Sequence, residues 1–323
     1  MAAISFIVPV YNAERTLERC LSSLLGQDCA DWTCLCVNDG STDASREVAE
    51  GFVRQDSRFS LLNQENAGVA EARNRGLELV SGEYVAFADA DDELPSDAVS
   101  LLLQGMREEA DVVVGNIRCI GKGGAERELF HHLEERGASL ASLVELFCFQ
   151  YIFGKAYRTS FIREYGIRFS PLRIYEDEAF CTQALVCAER IHFLGNVLYD
   201  YRFNAASLTN APGKGPEKKR ARLRSAQIKQ GYSGLAEQRG EVWKQALDLS
   251  CLESLREVFA SLSGDPALKR ELLGEAHTLV ETLKPLPRQP RLWGYALLAF
   301  ALRKQSPLLL DMARAWCRRF PLC

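Results

Sequence analysis

Between Ile4 and Asp92 the chain alternates apolar runs with helical stretches, and each apolar run ends in residues that carry chemistry. Ile4 to Asn12 reads as a buried strand running into a loop, followed by a helix from about Ala13 to Leu25. Cys34–Val37 is a second short strand, ending in the turn Asn38-Asp39-Gly40-Ser41-Thr42-Asp43. Ser41, Thr42 and Asp43 are all suited to cap the helix that follows. Asn66 to Gly76 reads as a glycine-opened helix start with Arg73 inside it, and Tyr84–Ala88 as a third strand. Strand, helix, strand, helix, strand predicts a parallel sheet, in which ligands collect at the carboxyl ends of the strands. Pro9–Asn12, Asp39 and Asp89–Asp92 all fall at such ends.

The third strand stops abruptly in Asp89-Ala90-Asp91-Asp92, three carboxylates within four residues. Crowded carboxylates repel one another, so the cluster is costly unless something positive sits there. A hard divalent cation that keeps positions open for phosphate oxygens is one answer; a solvated loop after a strand is the plainer one. An isolated Asp-x-Asp decides little, because short motifs recur by chance. Its weight comes from the other two strand ends.

Val8-Pro9-Val10-Tyr11-Asn12, Asn38 to Asp43, Ala72-Arg73-Asn74-x-Gly76 and Asp89-Ala90-Asp91-Asp92 resemble the family 2 glycosyltransferases, in their bacterial surface-polysaccharide form. Gly154-Lys155-Ala156-Tyr157-Arg158, Gly166 to Phe169, Tyr175 to Phe180, Tyr201-Arg202 and Ser207-Leu208-Thr209 continue the resemblance in order to about residue 210. The fold it implies is GT-A, the nucleotide-diphospho-sugar transferase fold: an α/β, Rossmann-like mixed sheet flanked by helices, here followed by a C-terminal α-helical region. The expected division is a catalytic domain over 1–211 and a helical region over 212–323. Within the first, 1–115 would bind the nucleotide sugar and 116–211 would face the acceptor.

The resemblance also implies roles. Asp39 would accept a hydrogen bond from a uracil-type N–H. Arg73, planar and always charged, would hydrogen-bond or stack on the base. Pro9, Val10, Tyr11 and Asn12 would wall the base pocket, with Glu14, Gly68 and Ala90 among the donor-binding positions. Asp89 would take the ribose hydroxyls and Asp91 a Mg²⁺ or Mn²⁺ ion bridging the phosphates. Arg202 would support the same charge from the other side. Asp177, in Glu176-Asp177-Glu178, would be the general base that deprotonates the acceptor hydroxyl, with Glu176 or Glu178 as sharers of that role. An acidic first helical turn favoured by the macrodipole is the structural reading of the same three residues. One base and direct displacement imply inversion at the anomeric carbon.

Two departures stand out. Ala90 occupies the middle of the Asp-x-Asp where serine is frequent, and Phe153-Gly154 precede Lys155 where many relatives have Trp-Asn. The first leaves a backbone that can still serve; the second touches the acceptor side. Sugar selectivity is expected from loops such as Gly115 to Arg136.

The 323-residue chain, 47% hydrophobic and 25% charged, has ordinary globular values. Met1-Ala2-Ala3 leads straight into a strand without a basic flank or cleavage site. No window offers about twenty uninterrupted apolar residues. Eleven scattered cysteines without a Cys-x-x-Cys pair, with Cys34 and Cys36 as small core residues, suit a reducing, cytoplasmic compartment, peripheral membrane attachment being the variant. His131-His132 reads as a surface pair, and no zinc spacing occurs.

Charge is uneven. Residues 1–211 hold 19 Lys and Arg against 32 Asp and Glu, a formal −13; residues 212–323 hold 20 against 11, a formal +9. Pro212 to Arg224 reads as a basic linker opening a helix. Leu247–Leu262 and Leu268–Leu283 read as amphipathic helices split at Gly264-Asp265-Pro266, with a break at Lys284 to Pro287 and helices at Leu292–Leu302 and Leu308–Phe320. Three readings fit this tail: a helical bundle, an interfacial membrane helix anchored by Trp293, Trp316, Arg314, Arg318 and Arg319, and a homo-oligomer interface. Nucleic-acid binding ranks fourth and is not expected, since no recognisable reader motif accompanies the charge.

The expected activity is transfer of a sugar, first of all from a UDP-sugar, to a hydroxyl of a glycan or lipid-linked glycan. An inactive nucleotide-sugar-binding subunit is the non-enzymatic alternative. A sugar-phosphate nucleotidyltransferase is the enzymatic one, set back by the lack of glycine from Val8 to Glu14.

Overall fold

The computed structural model describes residues 2–106, 109–121, 124–129, 143–144, 146–147, 151–172, 174–204, 215–259, 266–283, 293–305 and 313. The chain divides into two compact units. The first comprises Met1–Glu135, Tyr151–Arg173 and Cys187–Asn210; the second comprises Arg136–Gln150, Ile174–Val186 and Ala211–Cys323. This differs from a cut at residue 211, because Ile174–Val186, with Asp177, group with the C-terminal helices.

The first unit is built on an eight-stranded mixed sheet. Its strands are β1 (Ile4–Val10), β2 (Trp32–Asp39), β3 (Phe59–Gln64), β4 (Tyr84–Phe87), β5 (Val112–Ile120), β6 (Glu126–Leu129), β7 (Lys155–Arg158) and β8 (Ile191–Arg202). Their order is β3-β2-β1-β4-β7-β5-β6, with β8 beside β5. The four strands β3, β2, β1 and β4 run parallel. Helices α1 (Leu17–Leu25), α2 (Ser45–Gln55) and α3 (Val69–Leu79) connect them, and α4 (Ala98–Met106) follows β4. Such crossovers bury both faces of a parallel sheet, which is why β1 reads as a nearly continuous apolar run. Cys34 and Cys36 are fully buried on β2, as core residues. Gly76 lets α3 close on β1: a Cβ there would lie 2.6 Å from Ile7 Cγ2.

The connection from β1 runs outward to β2, whereas β4 lies on the other side of β1. This reversal opens the crevice in which doubly wound sheets bind ligands. The register sharpens it. Val10 lies opposite Asn38, but β4 ends at Phe87, opposite Ile7. Asp89–Asp92 therefore turn beneath the longer end of β1.

Several local expectations shift. Helix α1 begins at Leu17, not Ala13; in the stretch before it the Ala13 and Glu14 amides donate to Ser45 Oγ (2.7 Å) and Asp43 Oδ2 (3.1 Å), tying it to the segment after β2. Ser41 and Thr42 do not cap α2, which starts at Ser45; their side chains bond the loop after β1 instead. Residues 115–136, read as a loop, instead supply most of β5 and all of β6, which pair antiparallel from Ile117–Leu129 to Ile120–Glu126. β6 is β5's neighbour in the chain, whereas β7 and β8, which also pair with β5, come much later in it.

The second unit contains α6 (Glu176–Cys187, reaching one residue beyond it), α7 (Gly215–Gly231), α8 (Ser233–Arg239), α9 (Glu241–Phe259), α10 (Pro266–Glu281) and α11 (Trp293–Arg303). Helix α5 (Thr159–Glu164) belongs to the first. Leu223, Leu252, Leu255, Leu272, Val280 and Leu298 form a common core for the C-terminal helices, so this region is a bundle with its own apolar centre. Helices expected at 247–262 and 268–283 are α9 and α10, displaced by a few residues. The helix expected at 308–320, the Ser207-Leu208-Thr209 stretch, the His131-His132 pair and the proposed anchors Trp316, Arg314, Arg318 and Arg319, with the Trp293 side chain, lie outside what is described. No described helix is long and apolar enough to cross a membrane.

Candidate active site

The loop after β1 is stitched to the loop after β2. Asn12, in the left-handed region at φ 50°, accepts the Thr42 amide on Oδ1 at 2.8 Å, while its own N–H donates to Ser41 Oγ at 3.1 Å. The Ala44 amide donates to Glu14 Oε2 at 3.1 Å. Asn12 and Glu14, expected among donor-binding residues, thus use their side chains to shape the loop. Tyr11 stands exposed at its tip, while Pro9 and Val10 end the strand. Burial tends to raise the Asp43 carboxyl, but hydrogen bonds from Ser45 and from the Glu14 and Ser45 amides outweigh it and lower the pKa.

Asp39, buried at the end of β2, accepts the Ala67 amide and the Gln64 side chain on Oδ1 and the Gly68 amide on Oδ2, each at 2.8 Å. Gly68 adopts φ +92°, a conformation open to glycine. Asp39 therefore anchors the entry to α3. That helix carries Arg73 inward, where Nη2 donates to Asp89 Oδ1 at 2.7 Å and the guanidinium lies 5.3 Å from the centre of the Phe169 ring.

The acidic turn is held from several sides. Asp89 N–H donates to Tyr199 Oη at 2.9 Å, and that hydroxyl donates to Asp92 Oδ2, also at 2.9 Å. Asp92 Oδ1 accepts the Arg202 amide at 2.7 Å. Asp91 Oδ2 accepts from Asn204 at 2.9 Å, and its backbone oxygen from Arg19 Nη2 at 2.8 Å. Burial, reinforced by Asp89, pushes the Asp91 carboxyl above its ordinary value. Burial, with Asp89 and Asp91 behind it, pushes Asp92 up to about 9. The Arg202 side chain pairs with Glu93, which also pairs with Arg19 at 2.7 Å. Beside the turn, the rings of Phe153 and Tyr199 stack at 4.3 Å, with Tyr151 and Tyr201 stacked against Phe153 at 5.1 and 5.7 Å.

Excess negative charge, with the neutral Asn204 amide beside Asp91, is a donor set suited to a hard cation. Among the described residues no three His, Cys, Asp or Glu side chains form a ready-made cage. Magnesium-type sites are commonly completed by one or two carboxylates with substrate phosphates and water, which this turn fits.

A family model for glycosyl transferase family 2 matches residues 5–178, which span the stitched loops, the acidic turn and the start of α6. The chain belongs to glycosyltransferase family 2. Among the relatives of this family 2 chain, Glycosyltransferase GlyA of Streptococcus pneumoniae is 34% identical over 219 residues, covering 64% of this chain and 31% of that protein. The uncharacterized glycosyltransferase EpsJ of Bacillus subtilis is 34% identical over 224 residues, covering 65% and 64%. The matched segment thus spans between 31% and 64% of these relatives' lengths. The structure of S. aureus TarS 1–349 in complex with UDP-GlcNAc superposes with a TM-score of 0.75 at 19% identity, over 99% of this chain and 92% of that one. The fold is therefore GT-A.

Asp177 lies in the second unit, in the first turn of α6, half-exposed between buried Glu176 and Glu178. Glu178 is engaged within that unit: it pairs with Arg222, accepts Ser225 Oγ at 2.6 Å and lies 3.1 Å from Lys229 Nζ. A carboxylate held this way is badly suited to take up a proton. Tyr199, Arg19 and Asn204 escaped the sequence reading, and Asp92 and Glu93 entered it only as members of the acidic run, with no role of their own. Only Tyr199 left a trace, sharing a strand face with Tyr201 at i, i+2.

Proposed function

We propose that this family 2 member is an inverting, metal-assisted glycosyltransferase. It moves a sugar from a nucleoside-diphosphate donor, UDP-sugar first, to a hydroxyl of a glycan or lipid-linked glycan. The observation that carries the reading is the convergence of Asp39, the Arg73–Asp89 pair and the crowded Asp89–Asp92 turn on the carboxyl ends of β2, α3's crossover and β4. The TarS complex with UDP-GlcNAc supports the choice of a uridine donor. Asp39 and Arg73 would read the base, Tyr11 would cover it, and Asp89 would take the ribose. Asp91 would hold Mg²⁺ or Mn²⁺. A cation there supplies Lewis-acid assistance to the departing diphosphate. Arg202, held by Glu93 in this structure, would turn toward the same charge. Asp177 would accept the proton of the attacking hydroxyl.

Calorimetric titration of UDP, GDP, dTDP and CDP, each with and without Mn²⁺, tests the donor site. UDP binding that requires Mn²⁺ is the expected result, and Asp91→Asn should remove the metal-dependent part. Unchanged affinity of that variant with Mn²⁺ present would take Asp91 out of the role. Metal-dependent binding without UDP release from any UDP-sugar would favour the binding-subunit alternative.

A further inference from the structure

The segment that begins α6 is gripped by one arginine of the C-terminal bundle. Arg222, buried on α7, pairs with Glu178, lies 2.9 Å from Glu257 on α9, and places its guanidinium 4.7 Å from the centre of the Tyr175 ring. Tyr175 is a non-glycine residue at φ +68°, a backbone conformation held only where surrounding structure over-determines it. Asp177 sits between the two gripped residues, Tyr175 and Glu178. Behind Glu178, Lys229 is fully buried and donates to Ser250 Oγ and Ser254 Oγ at 3.2 Å each. The Glu178 contact ties the turn through Lys229 to α9 as well.

We infer that Arg222 is a positioning residue for the general base: it fixes the turn Tyr175–Glu178 and so aims the Asp177 carboxylate. This rests on Asp177 being the base. It also gives a specific task to Arg222, in the stretch Pro212 to Arg224 that reads from sequence as a basic linker opening a helix. A buried guanidinium with a planar fork suits it, because the fork can hold a carboxylate while its face lies on a ring. A general base must stay within hydrogen-bond reach of the proton it abstracts, and misplacement by about 1 Å can cost on the order of 10²-fold in rate.

The test compares Arg222→Met, Arg222→Lys and Asp177→Asn in the full chain. Amide hydrogen exchange of the peptide spanning 174–180 is read beside that spanning 84–94. Mn²⁺-dependent UDP binding and nucleotide release from UDP-GlcNAc, UDP-glucose and GDP-mannose, with water as the accepting hydroxyl, are measured on the same samples. Arg222→Met should speed exchange at 174–180 and leave 84–94 unchanged. It should lower turnover about 10- to 100-fold at unaltered UDP affinity, and Arg222→Lys should recover part of both. Unchanged exchange at 174–180 would overturn the inference, as would turnover and UDP-binding capacity falling together, which marks plain unfolding. If Asp177→Asn retains turnover, the base assignment fails instead, and the exchange result still reports whether Arg222 holds the turn.

Discussion

At the scale of single residues, one hydroxyl holds the acidic turn. Tyr199 is fully buried, and its Oη links the Asp89 amide to the Asp92 carboxyl. Tyr199→Phe keeps the ring stacked on Phe153 and removes only that bridge. Buried groups left without a partner cost about 1–3 kcal/mol, so the variant should melt earlier and bind Mn²⁺–UDP more weakly than the parent. Calorimetry and thermal denaturation read both; equal UDP affinity would show that the turn keeps its shape without the hydroxyl. None of this was visible in the sequence around Asp89, since Tyr199 stands 110 residues away. Asp39 was legible as a candidate for the site but not as the anchor of α3, for the same reason.

At the scale of elements, the two loops that rim the crevice are fastened chiefly by short polar side chains, with Asp43 at their centre. Its carboxyl is lowered in the folded protein, so the stabilisation it provides is present above its unfolded value near 3.8 and is lost as pH falls through the lower folded value. Asp43→Asn should therefore reduce melting temperature at pH 6–7, and the gap to the parent should close as samples are acidified below about pH 4. A gap independent of pH would assign the loss to shape rather than charge. The sequence placed the strands and helices here to within a few residues. It misplaced the start of α1 and the caps of α2, because Ser41, Thr42 and Asp43 are equally good partners for their own helix and for a neighbouring loop. Only the juxtaposition of β1 and β2 selects between them.

At the scale of the whole molecule, each unit has its own core. Leu255, fully buried among the C-terminal helices, is a point at which the second can be probed. Leu255→Ala removes apolar burial and leaves a cavity, with an expected loss of about 2–5 kcal/mol in urea denaturation; a change near zero would mean that the bundle closes over the gap. The formal +9 of residues 212–323 also reads differently in three dimensions. Arg222, Lys229, Lys244 and Arg256 are drawn into ion pairs with Glu178, Glu257, Asp248 and Glu253. The sequence by itself determined β1, β2 and β4 with helices between them, though not β3, and also the acidic turn at a strand end and the family, because apolar periodicity and short motifs are local properties. The tertiary structure alone decided that β5 and β6 form strands of one sheet, that Tyr199 locks the acidic turn, and that a basic segment closes on the helix bearing Asp177. Those outcomes depend on which distant elements pack side by side, and hydrogen bonds and buried ion pairs form only once that packing has brought their partners within reach.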